Sequence, residues 1–294
     1  MTESWTVGRW LADASRRLLA ESPEGPREAR LLVLAVLALP PAAVLANPDR
    51  ELSEEQFTRL EEMVGERLRG TPLQHLTGQA PFRHLELSVG PGVFVPRPET
   101  EGLVDMVLSH LRRGAAGLVP RVLELCAGTG AIGLSLIREA PPTEVAAIEL
   151  SELALACARG NARRLLTPEE SPRYVLYPGD LYAPLSGRQM PNSFDVVVAN
   201  PPYIPDGMWG TLPREVRVHE SPLALLGGPD GTSVVARISA GAPSWLRRGG
   251  LLAMEIDESH GGRVCKLLGD DGYVDVRIED DLTERPRYAL ARVR

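Results

Sequence analysis

Over roughly the first seventy residues apolar positions recur every three or four places, and beyond them they alternate or gather in short unbroken runs. Val7, Leu11, Ala14 and Leu18 mark the apolar face of a first helix. Ala29 to Leu39 is apolar on most sides and predicts a buried second helix, ended by the Pro40-Pro41 pair. Ser53-x-x-Gln56 has the form of a capping box, in which a serine hydroxyl and a glutamine amide each satisfy a free backbone N–H. The helix it opens carries Phe57, Leu60, Val64 and Leu68 on one face and stops at Gly70. Residues 1–70 thus predict a small all-α domain.

The period then changes. Phe82, Leu85, Leu87, Val89, Val93, Phe94 and Val95, interrupted by Gly90-Pro91-Gly92, predict a β-hairpin, and residues 71–115 are read as a hairpin linker. From 116 to 294 short apolar strands alternate with helical stretches: Arg121 to Leu125, Val145 to Leu150, Tyr174 to Tyr177, Phe194 to Ala199 and Leu251 to Ile256. Such alternation predicts an α/β fold with a parallel sheet. Tyr273 to Ile278 and Tyr288 to Val293 lie too close together for a helix of usual length between them, so they predict an antiparallel edge at the C-terminal end.

Composition narrows the function classes. Asp and Glu outnumber Lys and Arg by 39 to 32, a net charge of -7 without basic clusters, which argues against duplex binding through neutralised phosphates. Lys266 is the only lysine, and the arginine excess is read as composition bias and not as a phosphate-binding surface. Cys126, Cys157 and Cys265 form no C-x-x-C pair, and the five histidines show no i, i+4 pairing, so neither disulfides nor a metal site are expected. The N-terminal segment is interrupted by charges, and the longest unbroken apolar run, Leu31 to Leu39, would span about 14 Å as a helix against ~30 Å of hydrocarbon. No membrane association is expected, and a reducing, cytoplasmic setting fits.

The candidate chemistry begins after the first core strand. Glu124-Leu125-Cys126-Ala127-Gly128-Thr129-Gly130-Ala131-Ile132-Gly133 reads as a strand, a glycine-rich turn and the start of a helix. Gly128-x-Gly130-x-x-Gly133 fits the dinucleotide fingerprint, and Glu149 ends the next strand, placed to accept ribose hydroxyls. The fingerprint leaves the cofactor open between a pyrophosphate-containing nucleotide such as NAD and S-adenosylmethionine. Glu124, four residues before Gly128, favours a cationic ligand over a pyrophosphate. Asn200-Pro201-Pro202-Tyr203 follows the apolar strand Phe194 to Ala199. Two prolines stiffen that turn at the carboxyl end of the sheet, so that the Asn200 side chain and the Pro201 carbonyl can both face one N–H2 group.

Glu124 to Gly133, Glu149, Asp180 and Asn200 to Tyr203 together resemble the class I S-adenosylmethionine methyltransferases that alkylate conjugated nitrogen. Gly70-Thr71-Pro72-Leu73-Gln74-His75-Leu76-Thr77-Gly78 and Phe94-Val95-Pro96-Arg97-Pro98-Glu99-Thr100-Glu101 narrow the resemblance to the release-factor glutamine methyltransferases, the HemK/PrmC family, over nearly the whole chain. The resemblance implies a Rossmann-like sheet with an antiparallel C-terminal edge, preceded by the small all-α domain and hairpin linker. It implies that the stretch Glu124, Cys126, Ala127, Gly128, Thr129 and Gly130 surrounds the methionine part of S-adenosylmethionine. Glu149 would hold the ribose, Asp180 and Leu181 would border the adenine, and Asn200 would lie beside the cofactor. Asn200, Pro201, Pro202 and Tyr203 would bind the substrate amide, with Asn200, Pro201 and Tyr203 as the catalytic set. The implied partner is a peptide chain release factor, with no direct nucleic-acid or membrane partner. The chain departs from the family's Asp-x-Gly-Thr-Gly-Ser-Gly by placing Cys126 at the first glycine and Ala127 at a threonine. A specialised paralogue acting on a small molecule or a nucleic-acid base is the alternative.

The Arg97-Pro98-Glu99 stretch is read as a structural anchor, with Arg97 tying the hairpin to the sheet through a salt bridge. Residues 206–225 are long and weakly patterned for a strand-to-helix connection, and are read as a substrate-facing lid or as packing.

Overall fold

The computed structural model describes residues 4–113, 119–140 and 142–294, and it divides into two compact units. The boundary expected between residues 115 and 116 lies outside the described residues. The smaller unit runs to Gln79 and includes Arg214–His219; the larger comprises Ala80–Pro213 and Glu220–Arg294.

The smaller unit contains α1 (Val7–Leu19), α2 (Gly25–Leu37), α3 (Pro41–Ala46), α4 (Glu54–Leu68) and α5 (Leu73–Thr77). Trp10, Leu18, Leu32, Leu60 and Val64 are fully buried in its core. The capping box at Ser53 and Gln56 is formed in both directions, at 3.1 Å each. The Pro40-Pro41 pair ends α2 and also starts α3, because a proline is well tolerated in a first helical turn, where its missing N–H needs no partner. Leu68, expected on the apolar face of α4, is instead 39% exposed, and Met63 is buried in that helix.

A two-stranded hairpin, β1 (Gln79–Phe82) and β2 (Leu85–Ser88), lies in the larger unit apart from its first residue and precedes α6 (Glu99–Arg112). Its turn falls at Arg83-His84, and the expected Gly90-Pro91-Gly92 forms a separate turn after it. Arg83 adopts a left-handed φ of 52° although its composition carries no turn signal. Its guanidinium is held by Glu139 at 2.7 Å and Asp105 at 2.8 Å, so tertiary ion pairing stabilises a turn that local chemistry would not select.

The main sheet consists of β3 (Arg121–Leu125), β4 (Glu144–Glu149), β5 (Tyr174–Pro178), β6 (Phe194–Ala199), β7 (Leu246–Glu255), β8 (Val274–Asp280) and β9 (Pro286–Arg292), in the order β5-β4-β3-β6-β7-β9-β8. The first five are parallel, and β9 inserts antiparallel between β7 and β8, giving the expected antiparallel edge. α7 (Ala131–Glu139) and α8 (Glu152–Leu165) follow β3 and β4 in the chain. Alternate strand residues such as Val122, Val145, Val196 and Leu251 pack with α6 and α7 on one face. Leu123, Ile148, Val197 and Leu252 form the other core with α11 (Ser233–Gly241) and α12 (Gly261–Asp270). The intervening α9 (Arg214–His219) belongs to the smaller unit, and α10 (Pro222–Leu225) to the larger. No helix among the described residues is long and apolar enough to cross a membrane.

Asn161 of α8 joins the hairpin to the turn after β3. Its carbonyl accepts the Ser88 N–H at 2.7 Å, and its amide donates to the Ser88 and Thr129 carbonyls at 3.0 Å each. Asn161 is fully buried, so its truncation leaves the Ser88 N–H and the buried Thr129 carbonyl without this partner. Asn161→Ala is therefore expected to destabilise the protein by about 3 kcal/mol. Urea unfolding followed by circular dichroism checks this, and an unchanged midpoint would contradict the role given to Asn161.

Candidate active site

Parallel register sets the level of the site. Ile148, Leu125, Ala199 and Met254 pair across β4, β3, β6 and β7 as one row. The next residue in each case is Glu149, Cys126, Asn200 and Glu255, so two carboxylates, a thiol and an amide are brought to the carboxyl edge of the sheet, where open α/β folds bind ligands. A cavity opens there. Cys126, Gly128, Glu149, Asp180, Leu181, Asn200, Pro201, Pro202 and Tyr203 line it together with Gly92, Phe94, Leu225 and Arg237. The structure thus brings these nine expected residues to one cavity.

Glu124, Ala127, Thr129 and Gly130 are not in its lining. Glu124 shares the strand face of Val122 and has no solvent exposure. Its carboxylate lies beneath the start of α7, near the Ile132 and Gly133 amides and the Tyr174 hydroxyl, with no hydrogen bond of full geometry. Burial pushes its pKa up to about 8, and the Gly133 amide only partly opposes this. Held under the turn and protonated near neutral pH, Glu124 does not touch the cavity, and the negative charge expected of it toward a ligand is not expressed there. Thr129 is buried with its carbonyl on Asn161, and Ala127 donates to the Ile148 carbonyl at 3.0 Å.

The glycines divide the work. Gly128, at φ 58°, would point an added Cβ into open space, so this turn presents bare backbone to the cavity. At Gly130 a Cβ would lie 2.8 Å from the Tyr174 hydroxyl, and at Gly133 it would lie 2.3 Å from Glu124 Oε2. Those two positions serve close packing behind the turn. Cys126 adopts φ 56°, the left-handed region that favours glycine, which accounts for a glycine being usual there and leaves the cysteine strained. Burial raises its thiol, so it is no nucleophile.

Glu149 accepts the Gly128 N–H and the Ser151 N–H, both at 2.7 Å. These bonds fix the carboxylate, and each oxygen retains a lone pair for a vicinal diol. Asp180 pairs with Arg237 through its Oδ2 at 2.6 Å. Two carboxylates, Glu149 and Asp180, line this end, and the cation lining it, Arg237, is already paired with Asp180, a balance that suits the cationic S-adenosylmethionine over a pyrophosphate.

At the other end, Asn200 donates from Nδ2 to Thr100 Oγ1 at 3.0 Å. Arg97 pairs with buried Glu220 and lies 5.0 Å from the centre of the Phe94 ring, so its anchor is the 206–225 connection and not the sheet. Of that connection, Ser221 and Leu223 to Leu225 reach the cavity. Sequence reading did not assign Thr100, Arg237 or Glu255 to the site. The available signal was Glu255 itself, a lone carboxylate within the apolar run Leu251 to Ile256.

Comparison with known proteins agrees with this geometry. Residues 9–78 match the PrmC N-terminal domain, and residues 85–210 match the methyltransferase small domain. A release factor glutamine methyltransferase of Streptomyces coelicolor is 38% identical, covering 96% of this chain and 96% of its own length. One from Mycolicibacterium smegmatis is 38% identical over 95% of this chain and 94% of its own. The hMettl16 catalytic domain, solved in complex with the MAT2A 3'UTR hairpin 6, shares the fold with a TM-score of 0.56 at 13% identity, covering 82% of each chain.

The Glu124 environment has a measurable consequence. Because its folded value of about 8 exceeds the ordinary carboxylate value of 4.5, the folded chain holds a proton that the unfolded chain releases. Stability from this group is full below about 4.5 and falls as pH rises toward 8. Glu124→Gln is expected to flatten that decline, with its advantage over the wild type growing between pH 5 and pH 8 and levelling off above that. Thermal melts across this range test it, and parallel curves would contradict the assignment.

Proposed function

The chain belongs to the release factor glutamine methyltransferases, and from that premise we propose that it methylates the side-chain amide nitrogen of the glutamine in the Gly-Gly-Gln segment of peptide chain release factors. Its cofactor is S-adenosylmethionine, which supplies an electrophilic methyl on a sulfonium. The observation that carries the reading is Asn200: with Nδ2 engaged by Thr100, its Oδ1 is left to accept an N–H inside a cavity that Glu149 also lines.

A carboxamide nitrogen is a weak nucleophile because its lone pair is delocalised into the carbonyl. Asn200 Oδ1 and the Pro201 carbonyl accept its two N–H groups, hold it in one orientation and raise the electron density on nitrogen. Pro202 and Tyr203 wall this end and exclude water, and the Tyr203 ring presents a face to developing positive charge. The proton is lost after transfer, since a methylated amide nitrogen bearing three other bonds is strongly acidic, so the reading needs no general base. Glu149 holds the ribose diol, Asp180 and Leu181 border the adenine, and the turn from Cys126 to Gly130 surrounds the methionine part. The helical residues 1–70 serve as the docking surface for the protein substrate, residues 71–115 as linker, and 116–294 as the methyltransferase domain. The acidic charge balance supports a protein acceptor in the cytoplasm over a nucleic acid.

Incubation with labelled S-adenosylmethionine and a purified release factor, followed by mapping of the modified residue, tests the reading; label elsewhere than on that glutamine overturns it. Asn200→Ala is expected to abolish methyl transfer and to leave cofactor affinity, measured by calorimetry, within a few-fold of the wild type. Loss of cofactor affinity as well would assign Asn200 to the cofactor.

A further inference from the structure

Behind Asn200 lies a chain of hydrogen bonds that the reaction as described does not use. Thr100, the second residue of α6, is 4% exposed, and Glu255, the last residue of β7, is 1% exposed. The Asn200 Nδ2–H donates to Thr100 Oγ1 at 3.0 Å, and the Thr100 hydroxyl donates to Glu255 Oε2 at 2.7 Å. The Tyr203 hydroxyl donates to Glu255 Oε1 at 3.4 Å. Resting on the reading of Asn200 above, we propose that Thr100 and Glu255 are positioning residues that dictate which end of the Asn200 amide faces the acceptor.

The argument is an inventory of protons. An ionised carboxylate only accepts, so the single proton of the Thr100 hydroxyl is committed to Glu255. Thr100 is then an acceptor toward Asn200 and takes its N–H2. The Asn200 carbonyl is thereby turned to the cavity, the polarity needed to receive an N–H of a substrate amide. A rotated Asn200 would set N–H2 against N–H2 and leave buried donors without partners. The same carboxylate takes the Tyr203 hydroxyl, so one buried acid orients both polar residues of the Asn-Pro-Pro-Tyr turn.

Reversing the charge state removes the constraint. A protonated Glu255 can itself donate to Thr100, which frees the Thr100 proton for the Asn200 carbonyl and allows the wrong amide orientation. The groups facing Glu255 are Thr100 and Glu99 on α6, Tyr203 after β6, and Arg287 and Tyr288 on β9. Burial and Glu99 raise its pKa; Thr100, Arg287 and Tyr203 lower it, with a net value pushed up to about 6. Methyl transfer limited by acceptor recognition should accordingly decline as pH falls through about 6.

The test measures kcat/KM for a purified release factor, with labelled S-adenosylmethionine, from pH 5 to pH 9. Glu255→Gln, which can donate or accept, is expected to lose about tenfold or more in kcat/KM at pH 8 and to lose the acid limb. Thr100→Val should lose as much, and Thr100→Ser should recover most of that loss because it restores the hydroxyl. Cofactor affinity by calorimetry should stay within a few-fold in all three, which a merely structural defect would not allow. Wild-type kcat/KM and an intact acid limb in Glu255→Gln, or equal activity of Thr100→Val and Thr100→Ser, overturn the proposal. If Asn200→Ala is inactive while Glu255→Gln behaves as wild type, the positioning role alone fails. Wild-type activity in Asn200→Ala overturns the underlying reading and the positioning role with it.

Discussion

Parallel pairing of β4, β3, β6 and β7 in one register is the constraint on which the site depends. Ile148, Leu125, Ala199 and Met254 lie at one level, and the residue after each reaches the same edge: Glu149, Cys126, Asn200 and Glu255. Strand order does the rest. Because β3 lies between β4 and β6, the turn after β3 falls between the ribose-type carboxylate of one neighbour and the Asn-Pro-Pro turn of the other. Residues 74 positions apart in the chain, such as Cys126 and Asn200, thereby line one cavity without any of them needing to be adjacent in sequence.

Two buried carboxylates on this scaffold act through what lies between them and solvent. Glu124 is covered by the start of α7, and Gly133 is required above it because any side chain would strike the carboxylate. Near neutral pH it holds its proton, so it sits beneath the glycine-rich turn as a neutral acid. Glu255 is covered by α6 and β9, and its bonds to Thr100 and Tyr203 reach the cavity as orientation, not as contact. Desolvation makes both acids expensive to ionise, which couples the protonation of the interior to folding in the first case and to recognition in the second.

Local chemistry made much of the architecture legible. The capping box at Ser53, the apolar strands, the glycine-rich turn and the antiparallel end of the sheet all follow from periodicity and turn composition, which are short-range properties. Where the reading missed, a tertiary partner outweighed a local signal. The Gly90-Pro91-Gly92 turn was the stronger local signal, yet the hairpin reverses at Arg83-His84 because Glu139 and Asp105 hold the Arg83 guanidinium. Leu68 fits the helical period but falls outside the buried stripe.

The same division holds for the site. Its residue types, a turn of bare backbone, an acid at the end of the next strand and an Asn-Pro-Pro-Tyr turn, were determined by the sequence alone, since each motif carries its own backbone constraint. Which members touch the cavity was decided by the fold: β-strand alternation turns Glu124 under α7, and packing withdraws Thr129 and Gly130. Thr100 and Glu255 stand 155 positions apart, and only the docking of the first turn of α6 over the edge of β7 brings a hydroxyl proton within reach of a carboxylate. A hydrogen bond is a statement about distance and direction in space, and no spacing along a chain contains it.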